Sequence, residues 1–573
     1  FQLIRNRSVN FVPQPDRQEN LLPLISNKSI VDLEDSMPLA RQCYRLKLDC
    51  DILVESLHAY ARTAVTVNSL NSDAQRLLAK TEQLLASLTQ AHMPLQLFLL
   101  RSPKNYLELF LDDENVNEIR SSLEHSRKNE DFLLNITEEN LLEGLSVSGF
   151  HAWARLYSEL SGSLQVDING QKIGLAQASN LLFHQDSKSR EMAYHAINQA
   201  WKQNEISAAS ILNSLTGWRL ENNRVRSKKR ALHYLDNSCH QQKITRTTLE
   251  TLIQTTYENR HIGHRALKLM AIENDPLKKA SAKLSPWDLL APYPSATTPS
   301  VDISLPEAMQ LITKAFERFS PDMADFAKHM FSKNWIDATP SANRASGAYC
   351  TNFAKVREPR VFITYDGSLK NLITLAHELG HAYHYWVMKD MKLGQTHYSA
   401  SLAETASIFA ETLVRDYILE NAQTSEEKKS ILWQELESAA SLLINIPARF
   451  EFECRMFEQR KLQTLSASDL KNLNKQAWQH WYEDTLTDYN EMFWASKLHF
   501  SKSRISFYNY PYLFGYLFSL GIYAKKNENS LDFKKLYIDI LRDTGTLNAE
   551  DLIQKHIGDR YFHTNIPASR NTR

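Results

Sequence analysis

The chain has 573 residues, 43% of them hydrophobic and 23% charged, a balance that allows large buried cores and argues against a membrane-embedded protein. Lys+Arg and Asp+Glu each total 66, so no net field draws the chain to nucleic acid or an anionic membrane, and a small-molecule or peptide partner is expected. The five cysteines, Cys43, Cys50, Cys239, Cys350 and Cys454, are odd in number and contain no C-x-x-C pair, which reads as reduced thiols in a reducing compartment.

The opening FQLIRNRSVNFVPQPD lacks the basic start, apolar stretch and small-residue cleavage site of a secretory signal, so a cytoplasmic location is expected. Only 15 glycines and 18 prolines punctuate the chain, and segments such as SDAQRLLAKTEQLLASLTQAH carry apolar residues at helical spacing. A mostly α-helical fold follows. No internal repeat stands out, and a boundary is expected near residues 183–188, separating a helical amino-terminal region (1–184) from a larger domain (185–573). The larger domain begins with a long amphipathic helix capped by Asp186 or Ser187.

Farther along, the basic run RVRSKKR (224–230) reads as a solvated helix face or a salt-bridged loop, not a nucleic-acid site. The proline-rich tract LSPWDLLAPYPSATTPSVDISLPEAMQ (284–310) reads as a surface excursion. PRVFITYDG (359–367) alternates Val361, Ile363 and Tyr365 against Arg360, Phe362 and Thr364, the pattern of a strand. One small sheet is expected there, with this strand a candidate for pairing with an extended peptide. The stretch YLFGYLFSLGIYA (512–524) is shorter than the roughly 20 residues that span a bilayer and belongs in a core.

The chemistry concentrates in SLKNLITLAHELGHAYHYWVM. Ser368 is a plausible N-cap after the Asp366-Gly367 turn, and Leu369, Leu372, Ile373 and Leu379 mark a helix. On it His377 and His381 stand at i and i+4, so both imidazoles leave one face and can hold a single Zn²⁺. Glu378 lies about 100° around, where it can reach a metal-bound water without ligating the ion. The string H-E-x-x-H is only a moderate signal by itself.

A catalytic zinc needs a third protein ligand. His384 is on the same face, but three successive turns span about 10 Å, too far to converge on one ion; lining the pocket or bonding substrate suits it better. In SASLAETASIFAETLVRDY, Glu404 and Glu411 sit at i and i+7 on an otherwise apolar helix face, where a carboxylate is costly unless paired or metal-bound. Glu404 is the preferred third ligand. Glu411 suits the far N–H of a ligating histidine.

HELGHAYH, the later AETAS, GAYCTNF upstream and HFSKSRISFYNYPYLFGYLFSLGIY downstream together resemble the thimet oligopeptidase and oligoendopeptidase F family of zinc metallopeptidases, and most nearly its oligoendopeptidase F branch. The resemblance covers about residues 185–560 well. It implies a two-lobed, mostly helical zincin-like fold with a deep central channel, one Zn²⁺ on His377, His381 and Glu404, and Glu378 as general base. It also implies that carboxy-terminal tyrosines and a histidine bind the oxygen of the tetrahedral intermediate. The candidates are His499, Tyr508, Tyr510, Tyr512 and Tyr516, with Tyr508 and Tyr512 favoured. The expected function is zinc-dependent endopeptidase cleavage of short peptides. A zinc carboxypeptidase of related fold and a silent peptide-binding homologue are the alternatives.

Overall fold

Sparse glycine and proline are realised as helix over most of the chain. The structure is a computed structural model, and it describes residues 36–274, 282–294, 303–341, 343–345, 347–526 and 530–558. The opening segment and residues 295–302 of the proline-rich tract lie outside the described residues. In chain order the helices include α1 (Met37–Val67), α2 (Ser72–Arg101), α3 (Ser187–Lys202), α4 (Glu205–Arg226), α5 (Leu369–Val387), α6 (Ala400–Asn421), α7 (Ile446–Arg460), α8 (Tyr510–Lys525) and α9 (Ser530–Asp543). Among the described residues the strands are β1 (Gln165–Ile168), β2 (Gln171–Gly174), β3 (Ile336–Asp337), β4 (Ala348–Phe353) and β5 (Glu358–Ile363). No helix among the described residues is long and apolar enough to cross a membrane.

The chain divides into two compact units, each assembled from separated stretches: Phe1–Ile136, Val301–Arg415 and Ser519–Arg573 form one, Thr137–Ser300 and Asp416–Phe518 the other. In the first unit α1 and α2 pack along each other over a core that includes Met37, Tyr44, Phe98 and Phe110. Asn71 starts α2 by accepting from the Asp73 and Ala74 N–H groups, as an N-cap should.

The first unit also holds a three-stranded sheet of order β3-β5-β4, with β3 parallel and β4 antiparallel to β5. Helix α5 packs on β4 and β5, so the expected sheet does sit beside the H-E-x-x-H helix. Two details differ from expectation. Phe362, assigned to the polar face, is 3% exposed; it stacks on Tyr349 at 5.3 Å and lies under the Arg344 guanidinium at 4.0 Å. A central strand is covered on both faces, which overrides simple alternation. For the same reason β5 is not available for an added peptide strand: it is paired on both sides, and β3 and β4 are the edges.

In the second unit β1 and β2 form a hairpin whose turn residues Asn169 and Gly170 take φ 54° and 84°, the left-handed pair that a two-residue primed turn requires. Asp186 caps α3 through the Ser189 N–H. Helix α3 stops at Lys202 and α4 restarts at Glu205. Residues 284–291 are not a surface excursion. Asp288 pairs with the nearly inaccessible Arg190 at 2.6 Å, Leu284 N–H donates to Thr485 O, and Trp433 donates to Ala291 O. Pro286 lacks an N–H donor and these bonds satisfy other polar groups of the segment, so it can run through the interior. The basic run is salt-bridged: Arg226 to Glu139 at 2.8 Å and Lys228 to Glu138 at 2.8 Å.

Candidate metal centre and active site

Ser368 begins α5 by accepting from the Asn371 N–H at 3.1 Å, after Gly367 at φ +80°, where residues other than glycine are strained. From that start His377 and His381 leave one face a turn apart, and their Nε2 atoms stand 3.1 Å from each other. Helix α6 supplies Glu404, whose Oε2 is 3.4 Å from His377 Nε2 and 3.7 Å from His381 Nε2. Among the described residues these three form the group whose donor atoms converge tightly enough for a metal ion.

Gly380 is what allows α6 so near. A Cβ there would fall 2.6 Å from the Ala406 carbonyl oxygen, 2.7 Å from Ser407 Cα and 2.9 Å from Ala410 Cβ. Two of those atoms are backbone, which cannot step aside without moving the whole helix.

The donor set fits zinc. Bonds of 2.0–2.2 Å at tetrahedral angles place ligand atoms about 3.3–3.5 Å apart, and the three observed edges of 3.1, 3.4 and 3.7 Å bracket that value. The side chains of His377, His381 and Glu404 keep 24%, 19% and 15% of their surface accessible. The centre is therefore open on one side, as an exchangeable fourth position demands.

Neighbouring groups orient each candidate ligand. His377 Nδ1 donates to Glu411 Oε1 at 2.5 Å, and the other oxygen of Glu411 pairs with Arg415. Burial works to raise the Glu411 carboxyl, but the Arg415 charge and the His377 hydrogen bond hold it below its usual range. Burial likewise opposes charge on His377, yet the Glu411 hydrogen bond and the charges of Glu411, Glu404 and Glu378 bring its pKa up to about 9. His381 is driven well down by burial and by the His377 charge, against the opposing pull of its donation to the Ala403 backbone carbonyl. Ser407 Oγ donates to Glu404 Oε2 at 2.9 Å.

Glu378 lies one step round α5, 6% exposed. Burial lifts its carboxyl to about 7 against the opposing pull of His377, and the Cys350 backbone on β4 donates to it. The edge strand is thus tied to the candidate base. His384 neither ligates nor lines the opening. It is completely buried, stacks on Tyr398 at 4.0 Å, and donates from Nε2 to Leu541 O and Thr544 Oγ1 at 3.1 and 2.8 Å. A further turn along α5 has carried it past the centre and against α9.

In the second unit His499, Tyr508 and Tyr512 come together. The His499 and Tyr508 rings are 4.8 Å apart, the Tyr512 hydroxyl donates to the Tyr508 hydroxyl at 3.1 Å, and His499 Nδ1 donates to Asn509 Oδ1 at 2.7 Å. Tyr508 and Tyr512 are half-buried, whereas Tyr510 and Tyr516 are buried; Tyr510 bonds Ser238. Phe507, next to Tyr508, is held at φ +53° with its N–H donating to the buried Glu453 at 2.8 Å.

Sequence reading missed several supporting groups. Arg415 was legible at i+4 from Glu411. The Cys350 N–H carries no residue-type signal at all, being backbone. Glu453 stands in the mixed run ARFEFECRMF, where nothing separates it from exposed acids.

A mostly helical fold and a His, His, Glu group, two from an H-E-x-x-H helix and one from the next helix, define a metallopeptidase. The chain belongs to peptidase family M3, whose family model matches residues 181–571, and an oligopeptidase F model matches residues 99–165. It is similar to the oligoendopeptidase F homologue of Borreliella burgdorferi, 20% identical over 509 residues, covering 86% of this chain and 82% of that one. It also resembles the group B oligopeptidase PepB of Streptococcus agalactiae, 24% identical over 535 residues, covering 89% and 84%. Solved structures share the fold. Oligoendopeptidase F from Enterococcus faecium superimposes with a TM-score of 0.66 at 17% identity, covering 97% of this chain and 96% of that one. A PZ peptidase A with an inhibitor gives 0.70 at 16% identity, covering 92% and 93%.

Proposed function

We propose that this chain is a zinc-dependent endopeptidase that hydrolyses internal bonds of short, unstructured peptides. The observation that carries the reading is the triangle of His377, His381 and Glu404 with the buried carboxylate of Glu378 beside it. A single zinc ion held by those three side chains would supply Lewis acidity and lower the pKa of a bound water from 15.7 towards about 7. Glu378 takes the proton of the attacking water and returns it to the departing amine nitrogen. Glu411 holds the His377 ring in one tautomer and direction. The phenols of Tyr508 and Tyr512 donate to the developing oxyanion, with His499 completing that group.

On this reading the 185–573 stretch is the catalytic segment and 1–184 a helical amino-terminal region, and the start of the family match at residue 181 supports that boundary. The unpaired spacing of the five cysteines supports a reducing, cytoplasmic setting. Mass spectrometry of a mixed peptide pool incubated with the protein, with and without chelator, tests the function. Internal cuts that chelation abolishes and zinc restores are expected. Loss of single carboxy-terminal residues would make the protein a carboxypeptidase, and an untouched pool would make it a binding module.

A further inference from the structure

Around His499 the second unit gathers positive charge that, among the described residues, no carboxylate is paired with. Arg449 of α7 donates from Nε to Asn445 Oδ1 at 2.8 Å and from Nη1 to Asn509 Oδ1 at 3.1 Å, and its Nη1 is 3.4 Å from His499 Nδ1. Its guanidinium lies 5.1 Å from the Phe493 ring, and the Lys497 ammonium lies 5.0 Å from the same ring. Lys502 stands 3.6 Å over the Tyr508 ring. Among the described residues neither Lys497 nor Lys502 has a side-chain hydrogen-bond or ion-pair partner. Of the acids near them in sequence, Glu451 is bound by Arg455, His480 and Trp481 and Glu491 by Lys471, while Glu453 accepts from the Phe507 N–H through Oε1 and bonds none of the three cations.

Such an arrangement is unfavourable alone. Burial together with the Arg449 charge pushes the Lys497 ammonium down to about 8, and burial brings the Arg449 guanidinium down to about 10. Burial, joined by the repulsion of Arg449, Lys502 and Lys497 and opposed by the Asn509 hydrogen bond, holds His499 down at about 4. Desolvated cations without anions are retained at a cost in stability, and a ligand that brings the missing negative charge removes it. Asn445 and Asn509 fix the guanidinium by neutral oxygens, which leaves its charge unspent.

We propose that Arg449, Lys497 and Lys502 form a receptor for a carboxylate of the peptide substrate, beside Tyr508 and Tyr512. The inference rests on the peptidase reading and adds to it a substrate class: peptides that carry a negative charge, at the free carboxy-terminus or on an Asp or Glu side chain.

Two matched peptide pairs test it with the full-length, zinc-loaded protein: one sequence as free acid and as carboxy-terminal amide, and one with an internal Glu or Gln. Wild type is expected to favour the charged member of at least one pair by roughly tenfold in kcat/KM, chiefly through KM. The pair that responds identifies the source of the carboxylate. Lys497→Met and Lys502→Met should each shrink that ratio, and Lys497→Glu should reverse it. Equal cleavage of both members of both pairs by wild type overturns the inference while leaving the peptidase reading intact. So does a preference that all three variants keep. Absence of any chelator-sensitive cleavage overturns both.

Discussion

His377 Nδ1 and Glu411 Oε1 stand 2.5 Å apart, and the second oxygen of the same carboxylate is bound by Arg415. The far nitrogen of a proposed metal ligand is thereby fixed by a group that is itself fixed. Glu411→Ala should weaken zinc affinity by about 10- to 100-fold with little change in fold, measured by competition against a chromophoric chelator. Unchanged affinity would make the pair structural only.

Glu378→Gln keeps the shape of the side chain and removes its basicity. Zinc content should stay at the wild-type level while peptide hydrolysis falls by at least about 100-fold. A variant with near-normal turnover would take the general-base role away from this residue.

Gly380→Ala tests the contact between α5 and α6. The new methyl would meet the backbone at Ala406 and Ser407, so α6 must move or the helix must distort, destabilising the fold by about 1–3 kcal/mol. Glu404 rides on α6, so zinc content should fall together with the melting temperature. Differential scanning calorimetry and metal analysis on one preparation read both. A variant as stable and as metal-loaded as wild type would show that the helices are not held at contact.

Buried neutral histidines make the protein acid-labile. Burial depresses His384 to about 4 and, with Lys47, His92 to about 3, against about 6.5 in an unfolded chain. Groups depressed in the folded state bind protons less well there than when unfolded. Their contribution is complete above about 6.5 and is lost as pH falls towards 4. Melting temperatures of chelator-treated protein should drop steeply across that window, and His384→Gln should flatten the profile. A pH-independent melt between 7 and 4.5 would contradict the assignment.

Much of the centre was legible because helical periodicity is a local rule. The i, i+4 spacing of His377 and His381, the Ser368 cap and the i, i+7 pair on α6 need only the geometry of one helix, and each appears as read. The pairing of β5 on both sides was hidden because β3 is two residues long and lies far upstream, with no periodicity to announce it. The β1–β2 hairpin did have a local signal, the Asn169-Gly170 turn, which went unused. The burial of His384 depended on where α9 packs, a tertiary fact outside any sequence window. The cations at Arg449, Lys497 and Lys502 lie on separate elements and become a cluster only when α7 and the 493–509 segment meet.

The most direct measurement is zinc per chain by plasma mass spectrometry in wild type, His381→Ala and Glu404→Ala, each confirmed folded by circular dichroism. One ion per chain in wild type and a substoichiometric, readily chelated content in both variants is the expected result. A full, tightly held ion in folded Glu404→Ala would contradict a centre built on these three side chains.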